Sequence, residues 1–272
     1  MKKHISMLLA ILLLMSFCTN TYAEETEGLI LTPDIVMERL EEGDSFAGTA
    51  EEQSVNGVYR LAEMLGIAAA LRATDEECAY VNECLENMYE GNEQNLSNQQ
   101  KLALGAMQVF NFLEMIAEQE DPAMQYQNNR ESLKASFNEG DDAAIDAVQQ
   151  TVNALYSAIY MAALILEEIC PTEDMIANVK DELNAFSRDD DACGYANDQI
   201  VNGAYWLQRM LTALDTLVSP NDAFTKMAVD LSNENTKKAN DQTDSEKELV
   251  VWLYSCVQMS DLFAERLLSE AE

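Results

Sequence analysis

The chain predicts an all-α protein built as a stack of about five helix-pair repeats of ~49 residues, either solenoid-like or a compact helical array. Three observations carry this. A helix-like phrase recurs five times at a spacing of 48 or 49 residues. No run alternates apolar and polar residues as a half-buried strand would. The 4 prolines and 10 glycines leave little room for a sheet rich in turns.

The phrase begins at Val55, Ala103, Val152, Val201 and Val250. Two positions on stand Gly57, Gly105, Ala154, Gly203 and Trp252. Four positions on stand Tyr59, Met107, Tyr156, Tyr205 and Tyr254, and nine positions on Met64, Phe112, Met161, Met210 and Met259. Scarce residue types returning at one register mark internal repetition.

The elements follow in order. Lys2 and Lys3, the apolar residues 5–17, and Thr21-Tyr22-Ala23 ahead of Glu24 have the pattern of a secretory signal peptide cut after Ala23. Residues 24–272 are then expected to form one helical-repeat domain in the periplasm or outside the cell. No membrane span is expected after cleavage, and the apolar residues 152–166, interrupted by Asn153 and Ser157, read as a buried core helix. Thr32-Pro33-Asp34 opens a first helix. Further short helices start at Thr74-Asp75-Glu76-Glu77, Asp121-Pro122, Pro171-Thr172-Glu173-Asp174 and Ser219-Pro220-Asn221-Asp222. In these starts a capping side chain or proline stands at the helix entrance, and acidic first-turn residues suit the dipole. The chain parses as five units of a short helix followed by a long one.

On a wheel of 100° per residue, positions two, six, nine, ten and thirteen of the long helix point one way and are nearly all apolar. The starting valine and the tyrosine point nearly opposite. Both sides are expected to be buried, as in an inner helix held between neighbours, with glycine or alanine at position two allowing close approach.

A narrow polar stripe remains at positions one, five and eight. Its candidate binding residues are Asn56, Arg60, Asn153, Tyr160, Asn202, Trp206 and Arg209. Two readings compete: a recognition row of amides with Trp and Arg anchors, or asparagines that hydrogen-bond between adjacent elements. The second suits the asparagines better, and the first suits Trp206 and Arg209.

Composition excludes several functions. His4 is the one histidine and leaves with the leader, which removes Ser-His-Asp and Cys-His catalysis and histidine metal ligands. The exported chain keeps 14 basic and 49 acidic residues, a net charge of −35, which repels nucleic acid and favours a protein partner with a basic surface. Asp189, Asp191 and Gly194 resemble the opening of a calcium loop. Cys193 occupies a ligand place there and Ile200 stands where a bidentate Glu is needed, so no metal is expected. No phosphate-cradling glycine loop or nucleophile elbow occurs, and no cofactor is expected. Carboxylate pairs such as Glu76-Glu77 and Glu167-Glu168 leave a glycan-cleaving enzyme as the alternative to a binding protein.

Cys78, Cys84, Cys170, Cys193 and Cys256 remain after cleavage. Cys78 and Cys84 lie on different faces of one helix and are not expected to pair. Cys170 and Cys193, which bracket one short helix, are the expected disulfide, against the alternative that several of the five are small buried apolar residues.

Ser54-Val55-Asn56-Gly57-Val58-Tyr59-Arg60, Ile169-Cys170-Pro171-Thr172 and Gln199-Ile200-Val201-Asn202-Gly203-Ala204-Tyr205 resemble motifs of periplasmic immunity proteins against type VI secretion amidase effectors. Arg60 stands where that family has an acidic residue, and the cysteine before the first motif is missing. The resemblance implies an exported all-α protein that inhibits a protein partner.

Overall fold

The computed structural model describes residues 31–93, 95–170, 172–217 and 223–271. The expected leader, Pro171 and the Ser219-Pro220-Asn221-Asp222 start lie outside the described residues. Among those described there are ten helices and no strand: α1 (Pro33–Phe46), α2 (Ala50–Ala70), α3 (Asp75–Glu93), α4 (Asn98–Glu120), α5 (Gln127–Ala143), α6 (Ala147–Ile169), α7 (Glu173–Asp190), α8 (Ala196–Leu217), α9 (Ala223–Asn240) and α10 (Ser245–Ala271). The even-numbered helices are the long ones and carry the repeated phrase.

Their starts follow from local chemistry. Thr32 caps α1 ahead of Pro33, and Thr49 with Glu52 and Ser97 with Gln100 form capping boxes on α2 and α4. Asp146 and Thr172 cap α6 and α7. Each side-chain oxygen takes a backbone N–H that the first helical turn leaves without a partner. One start departs from expectation. Asp121-Pro122 does not open α5, because Met124 adopts a positive φ of 55° and breaks the turn. The Asp121 carboxylate instead accepts from the backbone N–H groups of Gln125 and Tyr126, both at 2.7 Å, and α5 begins at Gln127.

Consecutive long helices pack side by side, α2 on α4, α4 on α6, α6 on α8 and α8 on α10, and α10 then packs along α2. The stack is therefore closed into a ring of five inner helices. Each short helix lies outside, in the groove between two inner ones: α3 over α2 and α4, α5 over α4 and α6, α7 over α6 and α8, α9 over α8 and α10, and α1 over α10 and α2. Short loops make each outer helix antiparallel to the inner helix that follows, so the inner helices run parallel and begin at one end.

The repeated columns explain the closure. The position-nine side chains Met64, Phe112, Met161, Met210 and Met259 are all buried, as are Leu61, Val109, Ala158, Leu207 and Cys256 at position six. At position two a Cβ on Gly105 would stand 3.0 Å from the ring of Tyr59, and one on Gly203 would stand 3.2 Å from Leu155 Cβ and 3.3 Å from the ring of Tyr156. Each glycine thus admits the preceding inner helix at close range. Trp252 replaces glycine at the α8–α10 junction and fills it instead, its ring 4.9 Å from that of Tyr205.

α6 is long and apolar enough to cross a membrane. Here it is the ring wall between α4 and α8, with Leu155, Ile159, Met161 and Ile165 buried. The expected Cys170–Cys193 disulfide does not form, and both thiols are free. They do bracket one of the short helices, as expected, but that helix, α7, has 18 residues. At 1.5 Å per residue its ends stand about 27 Å apart, far beyond disulfide reach.

Candidate protein-binding face

Of the polar stripe, Arg209 lines a groove together with Asn178, Glu182 and Thr212, while the asparagines turn to neighbouring helices. Asn56 Nδ2 donates to the carbonyl of Leu40, and Asn153 Nδ2 to that of Phe137, each at 2.9 Å and each reaching the outer helix sixteen residues back. Gly43 and Gly140 stand against these amides, where a Cβ would collide with them. Both asparagines therefore bind an outer helix to its inner partner. Asn202 holds the same register and lies beside the Tyr156 hydroxyl.

The other stripe residues also turn towards outer helices. Glu63 is fully buried and takes two guanidinium groups, from Arg39 and Arg60, each at 2.8 Å. Burial pushes its carboxyl up, and the two arginines oppose that. Trp206 is buried, and its indole N–H donates to Asp189 at 3.1 Å. Trp206 and Tyr160 gather around Phe186 of α7, with ring centroids 6.2 and 5.9 Å from it. Arg209 pairs with Glu182 and lies over the rings of Trp206 and Tyr205, 5.1 and 5.8 Å from their centroids. The structure brings Tyr160, Trp206 and Arg209 together at α7, while Asn56 serves α1, Arg60 pairs with Glu63 on its own helix and Asn153 serves α5. Only Tyr160 and Arg209 keep substantial exposure.

One carboxylate of each acidic pair is likewise engaged. Glu77 accepts from the Thr74 hydroxyl and caps its own helix. Glu168, whose side chain is only 1% exposed, sits 3.8 Å from Arg130, whose main partner is Asp121 at 2.7 Å. Burial pushes the Glu168 carboxyl up to about 7, with Arg130 acting against it. Neither pair lines the depression described next.

That depression lies where the five inner helices begin. It has a volume of about 110 Å³ and takes residues from the first turns of α2, α4, α6, α8 and α10. The position just before each repeated phrase lines it, as Ser54, Leu102, Thr151, Ile200 and Leu249. Ser54 and Thr151 turn their hydroxyls back onto the carbonyls of Ala50 and Ala147, at 2.9 and 2.8 Å, so the floor is largely apolar. Exposed Glu51, Asp146, Asp198, Asp244 and Glu246 surround it. These acids oppose the positive ends of five helix dipoles gathered at one mouth.

Three apolar side chains lie at the same end of the ring as this mouth, in the junctions that lead into inner helices. Phe46, Ile145 and Tyr195 are the most exposed large apolar residues described, at 88%, 83% and 79%. Each ends an outer helix or lies in the loop leading to an inner one, at three different junctions of the ring. Ile145 occupies the position that would pack against the fourth residue of α6 in a hydrophobic staple. That residue is Gln150, and no staple forms. Sequence reading passed over these residues because loop positions fall outside the repeated phrase. The signal present was a large apolar residue immediately before a predicted helix start.

Comparison with protein-family models, curated proteins and solved structures returns no match.

Proposed function

We propose that this chain is an exported, acidic helical ring that binds a protein partner with a basic surface, as an inhibitor or immunity protein does, and that the mouth face is where it binds. The observation that carries this reading is the exposure of Phe46, Ile145 and Tyr195 at the end of the ring where the inner helices begin and form one depression. Large apolar side chains left in water at three junctions of one face are the kind of anchor that interface cores use. The acidic residues between them supply steering towards a basic partner and a polar rim. The net charge of −33 acts in the same direction.

The test is capture from an extract of the producing cells at low salt, comparing the native ring with a Phe46→Ser, Ile145→Ser, Tyr195→Ser variant. These side chains touch little, so thermal unfolding of the variant should match that of the parent. The expected result is a partner retained by the parent, released by salt, and lost by the variant. Equal capture by both proteins would move the site elsewhere, and no capture by the parent would reject the binding role.

A further inference from the structure

A second cavity lies at the opposite end of the ring, beside the junction where α10 meets α2. Its origin is a mismatch of lengths. α1 has 14 residues and α2 has 21, so at 1.5 Å per residue the outer helix runs short by about 10 Å. The last turns of α2 are left open between the start of α1, the middle of α3 and the end of α10. The groove holds about 270 Å³ and is walled by Pro33, Ile67, Leu71, Leu85 and Leu268. That volume sits just below the roughly 300–1,000 Å³ of small-molecule sites, too little for an inserted helix.

The charge at this groove is unbalanced. Asp34 and Glu265 both line it. Asp261 stands one turn before Glu265 on the same face of α10. None of the three has an ion-pair partner among the described residues. Their mutual repulsion is felt at Asp261, where burial first, then Glu265 and Asp34, hold the carboxyl up at about 6. The inner helices α2 and α10 both end here, and neither carries a basic residue in its last turn. Two negative dipole ends therefore add to the carboxylates. An apolar trough with anionic walls complements a molecule that is cationic at one point and hydrocarbon elsewhere.

We propose that this groove binds a small amphiphilic cation, a primary amine on a short hydrocarbon chain. Its ammonium lies between Asp34 and Glu265, and its chain runs over Ile67, Leu71, Leu85 and Leu268. This site is independent of the mouth face, and loss of partner capture leaves it untouched.

The experiment is titration calorimetry of the full chain with n-octylamine, 1-octanol and octanoate, each below its aggregation concentration. The native protein should bind octylammonium saturably at one site, bind octanol more weakly and leave octanoate unbound. Asp34→Asn with Glu265→Gln should weaken octylammonium by about tenfold or more and leave octanol unchanged. Ile67→Trp should fill the trough and abolish both. Circular dichroism and thermal unfolding establish that each variant is folded. Octylammonium binding that survives Ile67→Trp would be diffuse attraction to an acidic surface and would overturn the proposal. So would equal affinity for octanol and octylammonium, or the absence of saturable binding to the native protein.

Discussion

Gly57 lies against Tyr254, although the two belong to the first and last copies of the repeat. A Cβ built on Gly57 would stand 3.0 Å from the tyrosine ring and 3.1 Å from Leu253 Cβ. The Tyr254 hydroxyl donates to Asp44 at 3.0 Å, and Asn56 Nδ2 approaches that hydroxyl at 3.4 Å. The same set recurs inside the array, where the Tyr156 hydroxyl donates to Asp190 beside Asn202 and Gly203 lies against Tyr156. In each case the aspartate stands twelve residues before the asparagine. The ring is thus closed by the chemistry that joins interior neighbours.

Gly57→Leu should destabilise as Gly203→Leu does, by roughly 1–3 kcal/mol or more, because both insert carbon atoms between packed inner helices. Thermal unfolding of the two variants checks this. A costly Gly203→Leu beside a neutral Gly57→Leu would describe an open stack with a free first helix.

Tyr254→Phe should cost roughly 1 kcal/mol through its lost bond to Asp44. Asp44→Ala in the same background should add only the cost of its bond from Gln53, because the Tyr254 bond is already gone. Burial, assisted by Asp44, pushes the Tyr254 phenol up to about 12. Ultraviolet titration of the parent against Tyr254→Phe should therefore place the Tyr254 ionisation well above the ordinary phenol value.

Asn153→Ala should cost roughly 1–3 kcal/mol, because the Phe137 carbonyl loses its side-chain donor in a partly dry junction. Denaturant unfolding measures the loss. Partner capture at the mouth should be unchanged, which separates this residue's structural role from a binding one.

Trp206→Ala should cost roughly 3–5 kcal/mol, the range for deleting a buried aromatic side chain. Arg209→Ala should cost about 1 kcal/mol or less, because its pair with Glu182 is open to solvent and screened by salt. Unfolding at low and high salt distinguishes the two, since only the arginine effect should shrink with added salt.

Glu168 makes stability depend on pH. Its ordinary value is 4.5 and its value in the fold is about 7, so the folded protein holds this proton more tightly than the unfolded chain. The contribution is fully present below about pH 4.5 and is lost as pH rises through about 7. Glu168→Gln cannot ionise, so it should be more stable than the parent above pH 7 and should flatten this part of the profile. A stability difference that does not vary across this pH range would place the Glu168 carboxylate in contact with water.

Residue spacing alone carried the all-α class, the alternation of short and long helices, and the burial of the position-six and position-nine columns. These depend on a helical period and on local capping, which are read within a few residues of one another. The same locality explains why the asparagine row was legible as a possible structural bond while its acceptors, Leu40 and Phe137, were not. The partner of a side chain is set by which helix lies opposite, not by its own neighbours in the chain.

Closure was decided only in three dimensions. The spacing of 48 or 49 residues defines one junction and repeats it. Whether five such junctions accumulate into a coil or return to the start depends on the rotation each one imposes, a sum of small packing angles that no single repeat records. That sum brings Tyr254 to Gly57, gathers five helix starts into one mouth, and places Phe46, Ile145 and Tyr195 on the same face. It also separates Cys170 from Cys193 by the length of α7. The sequence determined the bricks and the bond between them, and the tertiary structure decided that the course closes.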